Sequence, residues 1–283
     1  MNIVNILEEI EKVDGEIYER LSPRRAAMKQ FYSFGSKVAL ASVPLALGSM
    51  FKKAYGQTNT AVIGVLNFAL TLEYLEYHFY DTALGSAPLL LSGLTTGSPA
   101  RGAITTIRDH ELAHVNLLKG AISAAGGTPV AFTAAQFDFT ARNTFPTVMS
   151  DYPTFLAVAA AFEDTGVRAY KGQAGNLMGS PYLETALNIH SVEARHASHI
   201  RQMRKATAGG GVNIKPWITG VDNTTGTPVA AIYAGEGQTV QANGKITITN
   251  INGTGISANA ASEAFDEILT KEAVLAIAAP FIR

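Results

Sequence analysis

The tetrapeptide Glu-x-x-His occurs twice in the chain, as Glu111-Leu-Ala-His114 and Glu193-Ala-Arg-His196, and a lone glutamate stands in an apolar stretch ahead of each copy, Glu73 and Glu163. Helical residues three apart share a face, so each Glu-x-x-His offers a carboxylate oxygen and an imidazole nitrogen to one point. Four glutamates and two histidines form an oxygen-rich donor set for two first-row metal ions. Iron and manganese suit that set, whereas zinc favours fewer ligands in a tetrahedral site. The chain has no cysteine, which excludes disulfides and thiolate sites and leaves histidine and carboxylate to hold any metal. One glutamate from each of two helices, with Glu-x-x-His from each of two others, is the ligand rule of four-helix bundles that carry dinuclear carboxylate centres.

Such a site needs four helices, and the apolar periodicity supplies them. The first is predicted from Thr58 to about Leu84, with Val62, Val65, Leu66, Ala69, Leu70, Tyr77, Tyr80 and Leu84 as its stripe and Glu73 in the middle of it. A carboxylate buried there without a partner would be destabilising by several kcal/mol, so the position demands one. Glu76, one turn on, is read as a further ligand, a bridging neighbour or a rim residue. The second helix runs from Pro99 or Ala100 to Ala125 with Ser98 as its cap, and Ile104, Ile107, Glu111, His114, Leu118 and Ile122 face the core. The third, Tyr152 to about Leu177, aligns Leu156, Ala159, Ala160, Glu163, Val167 and Tyr170; the fourth, Pro181 to about Ala208, aligns Ala186, Ile189, Glu193, His196, Ile200, Met203 and Thr207. Tyr80 and Tyr170 each follow their glutamate by two helical turns, so the second helix pair repeats the first. Each tyrosine is placed beside a ligand, to hydrogen-bond it or to act in redox chemistry. The Phe-, Thr- and Pro-rich stretch between Gly127 and Tyr152 reads as a long central crossover with a short helical turn near Ala134.

A competing reading pairs the buried glutamates with Arg108, Arg168 or Arg195 and leaves the two histidines as satisfied core residues. His78, His110, His190 and His199 lie off the stripe and are assigned solvated or supporting roles. Asp109 and Asp164 neighbour the ligand positions and could accept from the outer nitrogen of a ligating imidazole.

The flanks carry no comparable chemistry. Residues Asn2 to Leu21 form an amphipathic pattern suited to docking. Arg24-Arg25 ahead of the apolar run Val38 to Phe51 resembles a twin-arginine export signal, so export to the periplasm or envelope and a retained, cytoplasmic docking segment are both open. That run is shorter than the roughly twenty residues of a membrane span. Net charge is −1 with no long basic run, which argues against nucleic acid, and only 16 % of residues are charged. Much of the surface is then neutral or buried against a partner, and a homo-oligomer is expected. Beyond Gly209, the alternating segment Gln238 to Thr249 around Asn243-Gly244 predicts a hairpin flap, followed by a last helix from Ser262 to about Ala278. The chain therefore divides into 1–57, 58–208 and 209–283.

The phrases Leu70-Thr-Leu-Glu73-Tyr-Leu-Glu76-Tyr-His-Phe-Tyr80 and Asp109-His-Glu111-Leu-Ala-His114, with the closing segment from Ala264 through Ile282, resemble the ferritin-like superfamily, and within it the desiccation-related branch. The resemblance spans about Thr58 to Arg283. It implies an all-α fold: a ferritin-like four-helix bundle with a long central crossover, to which the N-terminal helix, C-terminal hairpin flap and C-terminal helix are added. It also implies a dinuclear iron or manganese centre acting on peroxide, dioxygen or ferrous iron. The alternative is a stress-protective or assembly-forming protein with a structural or vestigial metal.

Overall fold

The computed structural model describes residues 59–85, 92–207, 213–242, 244–251 and 253–283. The expected N-terminal helix and signal-like segment lie outside the described residues. Four long helices dominate the remainder: α1 (Asn59–Gly85), α2 (Pro99–Ala124), α3 (Tyr152–Ala174) and α4 (Leu183–Thr207).

Their ends follow from local chemistry. Ser98 has extended backbone and its hydroxyl accepts from the Arg101 amide at 3.1 Å, with Pro99 in the first turn of α2. Gly126 turns left-handed at φ 81° and lets the Gly127 amide donate to the Ile122 carbonyl at 2.9 Å, which closes the helix. Asp151 caps α3 by accepting from the Thr154 amide at 2.9 Å. A 3-10 turn, Gly175–Leu177, extends α3 to the predicted end.

α1 packs along α2, and α3 along α4. Tyr80, late in α1, bonds Glu163 in the middle of α3, and Tyr170, later in α3, bonds Glu73 earlier in α1; the two helices therefore run antiparallel. The expected single stripe on α1 proves too narrow. Phe68, Leu72, Tyr74, Leu75 and Phe79 are buried as well, because the helix is also covered on its outer sides. Phe132 and Phe139 of the crossover reach Tyr74 and Phe79, with ring centroids 6.0 and 5.6 Å apart. α3 is likewise buried almost continuously from Phe155 to Tyr170. On α4 the stripe ends earlier than expected, since Thr207 is exposed and Met203 only half-buried.

The crossover contains the expected turn, Ala134–Gln136, and is pinned to the chain's end. The Asp138 amide donates to the Phe281 carbonyl at 2.8 Å and the Arg283 amide to the Gln136 carbonyl at 2.9 Å. Ala141, Arg142 and Asn143 all have positive φ, a left-handed run steadied by the Asp138 carboxylate, which accepts from the Thr140 and Arg142 amides, each at 3.1 Å.

In the C-terminal extension the predicted hairpin is present, β1 (Val240–Gln241) pairing antiparallel with β2 (Ile246–Thr247). A second one, β3 (Asn250–Ile251) with β4 (Thr254–Gly255), was not foreseen. The single last helix predicted over Ser262 to Ala278 is corrected: α5 (Ala258–Ser262) and α6 (Lys271–Ala278) are separate. The intervening backbone is engaged by α3, where Arg168 Nε donates to the Glu267 carbonyl at 2.8 Å and the Leu269 amide donates to the Arg168 carbonyl at 3.3 Å. Gly172 permits that approach, since a Cβ there would lie 2.1 Å from the Leu269 oxygen. Thr270 then caps α6. Among the described residues, no helix is long and apolar enough to cross a membrane.

Candidate metal centre

The bundle brings all six sequence-predicted side chains together, one glutamate each from α1 and α3 and a Glu-x-x-His from α2 and α4. Glu73, Glu111, Glu163 and Glu193 are fully buried, and His114 and His196 nearly so. They form two overlapping groups whose donor atoms lie within 4.8 Å of one another: Glu73, Glu111, His114 and Glu193 in one, Glu111, Glu163, Glu193 and His196 in the other. Glu111 and Glu193 belong to both. His114 Nδ1 lies 3.1 Å from Glu73, 2.9 Å from Glu111 and 3.5 Å from Glu193. His196 Nδ1 lies 2.7 Å from Glu111 Oε1 and 3.2 Å from Glu163 Oε2.

Proximity there is not mutual satisfaction. Glu111 Oε1, Glu163 Oε2, both oxygens of Glu193 and His196 Nδ1 are buried without an aligned hydrogen bond. Buried carboxylate oxygens left in that state are strongly unfavourable unless a cation meets them. These oxygens lie in groups whose donor atoms are within 4.8 Å of one another, an arrangement that could hold metal ions.

The competing arginine pairing is overturned. Arg108 pairs with Asp81 and Asp109 at 2.8 and 2.7 Å, Arg168 with Glu236 at 2.6 Å, and Arg195 is exposed. Among the described residues, no arginine or lysine forms an ion pair with any of the six.

Charge balance comes from within the cluster. Burial pushes Glu73 up to about 7, against hydrogen bonding and attraction from His114. Burial and then neighbouring carboxylates raise Glu193 well above the usual range, and burial also raises Glu163. Burial acts the same way on Glu111, but the hydrogen bond from His114 and the pull of the nearby His196 outweigh it and bring the group down to about 2. For both histidines burial opposes the charge, yet the surrounding glutamates win and lift them to about 10. Protons on nitrogen thus occupy the place that a metal's charge would take, and metal uptake would displace them.

Around the six lie supporting groups. Tyr80 donates to Glu163 and Tyr170 to Glu73, so each tyrosine serves the glutamate of the other helix; shared spacing along one helix shows a common face but not which neighbour that face meets. Asp109 and Asp164 do not support the histidines, since their carboxylates are taken by Arg108 and by Arg201 with Tyr233. His110 does so instead, its Nδ1 3.0 Å from His196 Nε2 with the rings stacked. His78 and His190 bond the carbonyls of Phe132 and Val167.

Glu76 is 3 % exposed and stands among the carboxylates, which with burial raise it well above its ordinary range. Opposite it, Gly166 makes room for Glu193: a Cβ there would lie 2.5 Å from Glu193 Oε2. The sequence reading passed over Gly166, although the internal repeat marks it, for it falls one turn after Glu163 as Glu76 falls one turn after Glu73. Arg201, 1 % exposed, was also missed; the only signal was its place beside Ile200 on the core face of α4.

A family model described as a ferritin-like domain matches residues 61–206, from the first turn of α1 into the last turn of α4. No curated protein and no solved structure gives a significant match.

Proposed function

Since the chain belongs to the ferritin-like domain family, we propose that Glu73, Glu111, His114, Glu163, Glu193 and His196 hold two iron or manganese ions, and that the protein is an oxidoreductase for peroxide, dioxygen or ferrous iron. The observation that carries this is the pair of overlapping four-residue groups sharing Glu111 and Glu193. Four carboxylates balance two divalent ions with both histidines neutral. Bound iron or manganese would supply reversible one-electron chemistry. The chain's part is to keep two such ions adjacent through the shared glutamates, to orient Glu163 and Glu73 through Tyr80 and Tyr170, and to keep bulk water from a fully buried cluster. Glu76 is the nearest further carboxylate able to hold a proton beside it. Kinship to the desiccation-related branch, self-association on a weakly charged surface, and the division at 57 and 208 belong to the same proposal.

Reconstitution with ferrous or manganous ion, followed by metal analysis and anomalous scattering at both absorption edges, tests it directly. Two ions per chain at the six residues are expected, with oxidation of ferrous iron or consumption of peroxide. Fewer than one ion per chain would defeat the reading.

A further inference from the structure

The C-terminal extension and the crossover form, against α3, a chamber of about 530 Å³, open on one side, that none of the six residues lines. Its floor is Val158, Ala161, Phe162, Ile232 and Leu269, its mouth is rimmed by exposed Ala231 and Ala276, and among the described residues no charged side chain lines it. Phe162 and Ile277 also wall a second cavity of about 10 Å³, room for roughly one small molecule, lined further by Leu72, Leu75, Glu76 and Gly166. That cavity reaches towards the candidate centre through Gly166, where a Cβ would lie 2.5 Å from Glu193 Oε2. The Thr165 hydroxyl is turned onto the Ala161 carbonyl at 2.7 Å, and among the described residues Glu76 is the one ionisable group lining either cavity. Had α3 repeated the glutamate of α1 in place of Gly166, two carboxylates would face each other and close it.

We propose that this chamber is the dioxygen antechamber of the centre: dioxygen collects in it and passes between Phe162 and Ile277 into the gap beside Glu76 and Gly166. The assignment rests on the oxidoreductase reading above. The lining chooses the class of guest. A hydrated divalent cation would shed water there with no ligand in return, whereas a small uncharged apolar molecule loses nothing. Apolar cavities bind xenon, and the inner cavity has room for one molecule of about water's size.

Crystals of the full chain under xenon pressure test the chamber without reference to metal. Xenon is expected between Phe162, Ile232, Leu269 and Ile277. Ala276→Trp, at the exposed mouth, and Ala161→Phe, in the wall, should each remove it. In the metal-loaded protein the same variants should raise the KM for dioxygen several-fold, with kcat and metal content unchanged. Xenon absent from the wild-type chamber, or an unaltered KM in a variant whose xenon site is lost, would overturn the antechamber. A chain that takes up two metals but no xenon leaves the proposed function standing and removes the antechamber; one that takes up xenon but no metal removes the proposed function, and with it the assignment to dioxygen.

Discussion

In the α1–α2 half of the bundle Glu73, Tyr80, Glu111 and His114 occupy the places that Glu163, Tyr170, Glu193 and His196 hold in the α3–α4 half, and each half's tyrosine bonds the other half's glutamate. What stands behind these residues differs. Where α1 has Tyr74, packed on Phe132 of the crossover, α3 has Asp164, buried and paired with Arg201 at 2.6 Å and with Tyr233 at 2.7 Å. Where α2 has exposed Lys119, α4 has that buried Arg201. Glu76 faces Gly166, and His110, which stacks on His196, has Val192 as its counterpart. Donor groups aimed at a common point have little freedom to vary. Their backing varies with what docks behind it, aromatic crossover on one side and polar extension on the other.

The sharpest break of that likeness is between shared and private ligands. Glu193→Ala removes a carboxylate common to both groups and is expected to abolish uptake of both ions. Glu163→Ala removes one found in a single group, and is expected to leave about one ion per chain, held with His114, by general ligand logic. Metal analysis after reconstitution separates them; equal stoichiometry in the two variants would mean that the halves do not share ligands.

The second contrast concerns backing alone. Arg201→Met strands the Asp164 carboxylate among buried groups, with only Tyr233 still bonding it, and should destabilise the fold by about 3–5 kcal/mol. Lys119→Met, the matching change in the other half, should stay within about 0.5 kcal/mol. Denaturant midpoints on the two proteins would show this, and similar midpoints would mean that the Asp164–Arg201 pair carries no structural weight.

These contrasts mark where sequence reasoning reached its limit. Helix positions and the six converging side chains were readable, because a carboxylate or imidazole on an apolar stripe stands out against a regular period. The swap of tyrosine partners was not, since it follows from α1 and α3 being antiparallel neighbours, a property of topology. The break at Glu263 to Thr270 lies inside a good helical pattern and is imposed by Arg168 claiming backbone oxygens from across the fold. Arg201 and Glu236 look like ordinary surface charges until their partners from distant segments are in place.

Gly166 offers the finest test of the comparison, because a single methyl group restores part of the symmetry. In Gly166→Ala the new carbon would meet Glu193 Oε2 at 2.5 Å. Glu193 is fully buried, so its carboxylate can make room only by leaving its position, and the change should destabilise the protein by about 1–3 kcal/mol, the usual range for overpacking. It should also weaken metal uptake, since the displaced group belongs to both positions. Glu76→Ala edits the other wall of the same gap and displaces no proposed ligand. It removes a carboxyl whose burial is unfavourable and leaves no atom crowding a neighbour, and so should shift stability less while metal stoichiometry is retained. Midpoints and metal content measured on the pair would show whether Gly166 is a space-maker for Glu193; if Gly166→Ala keeps both at wild-type values, the room it provides is incidental and the halves differ there without consequence.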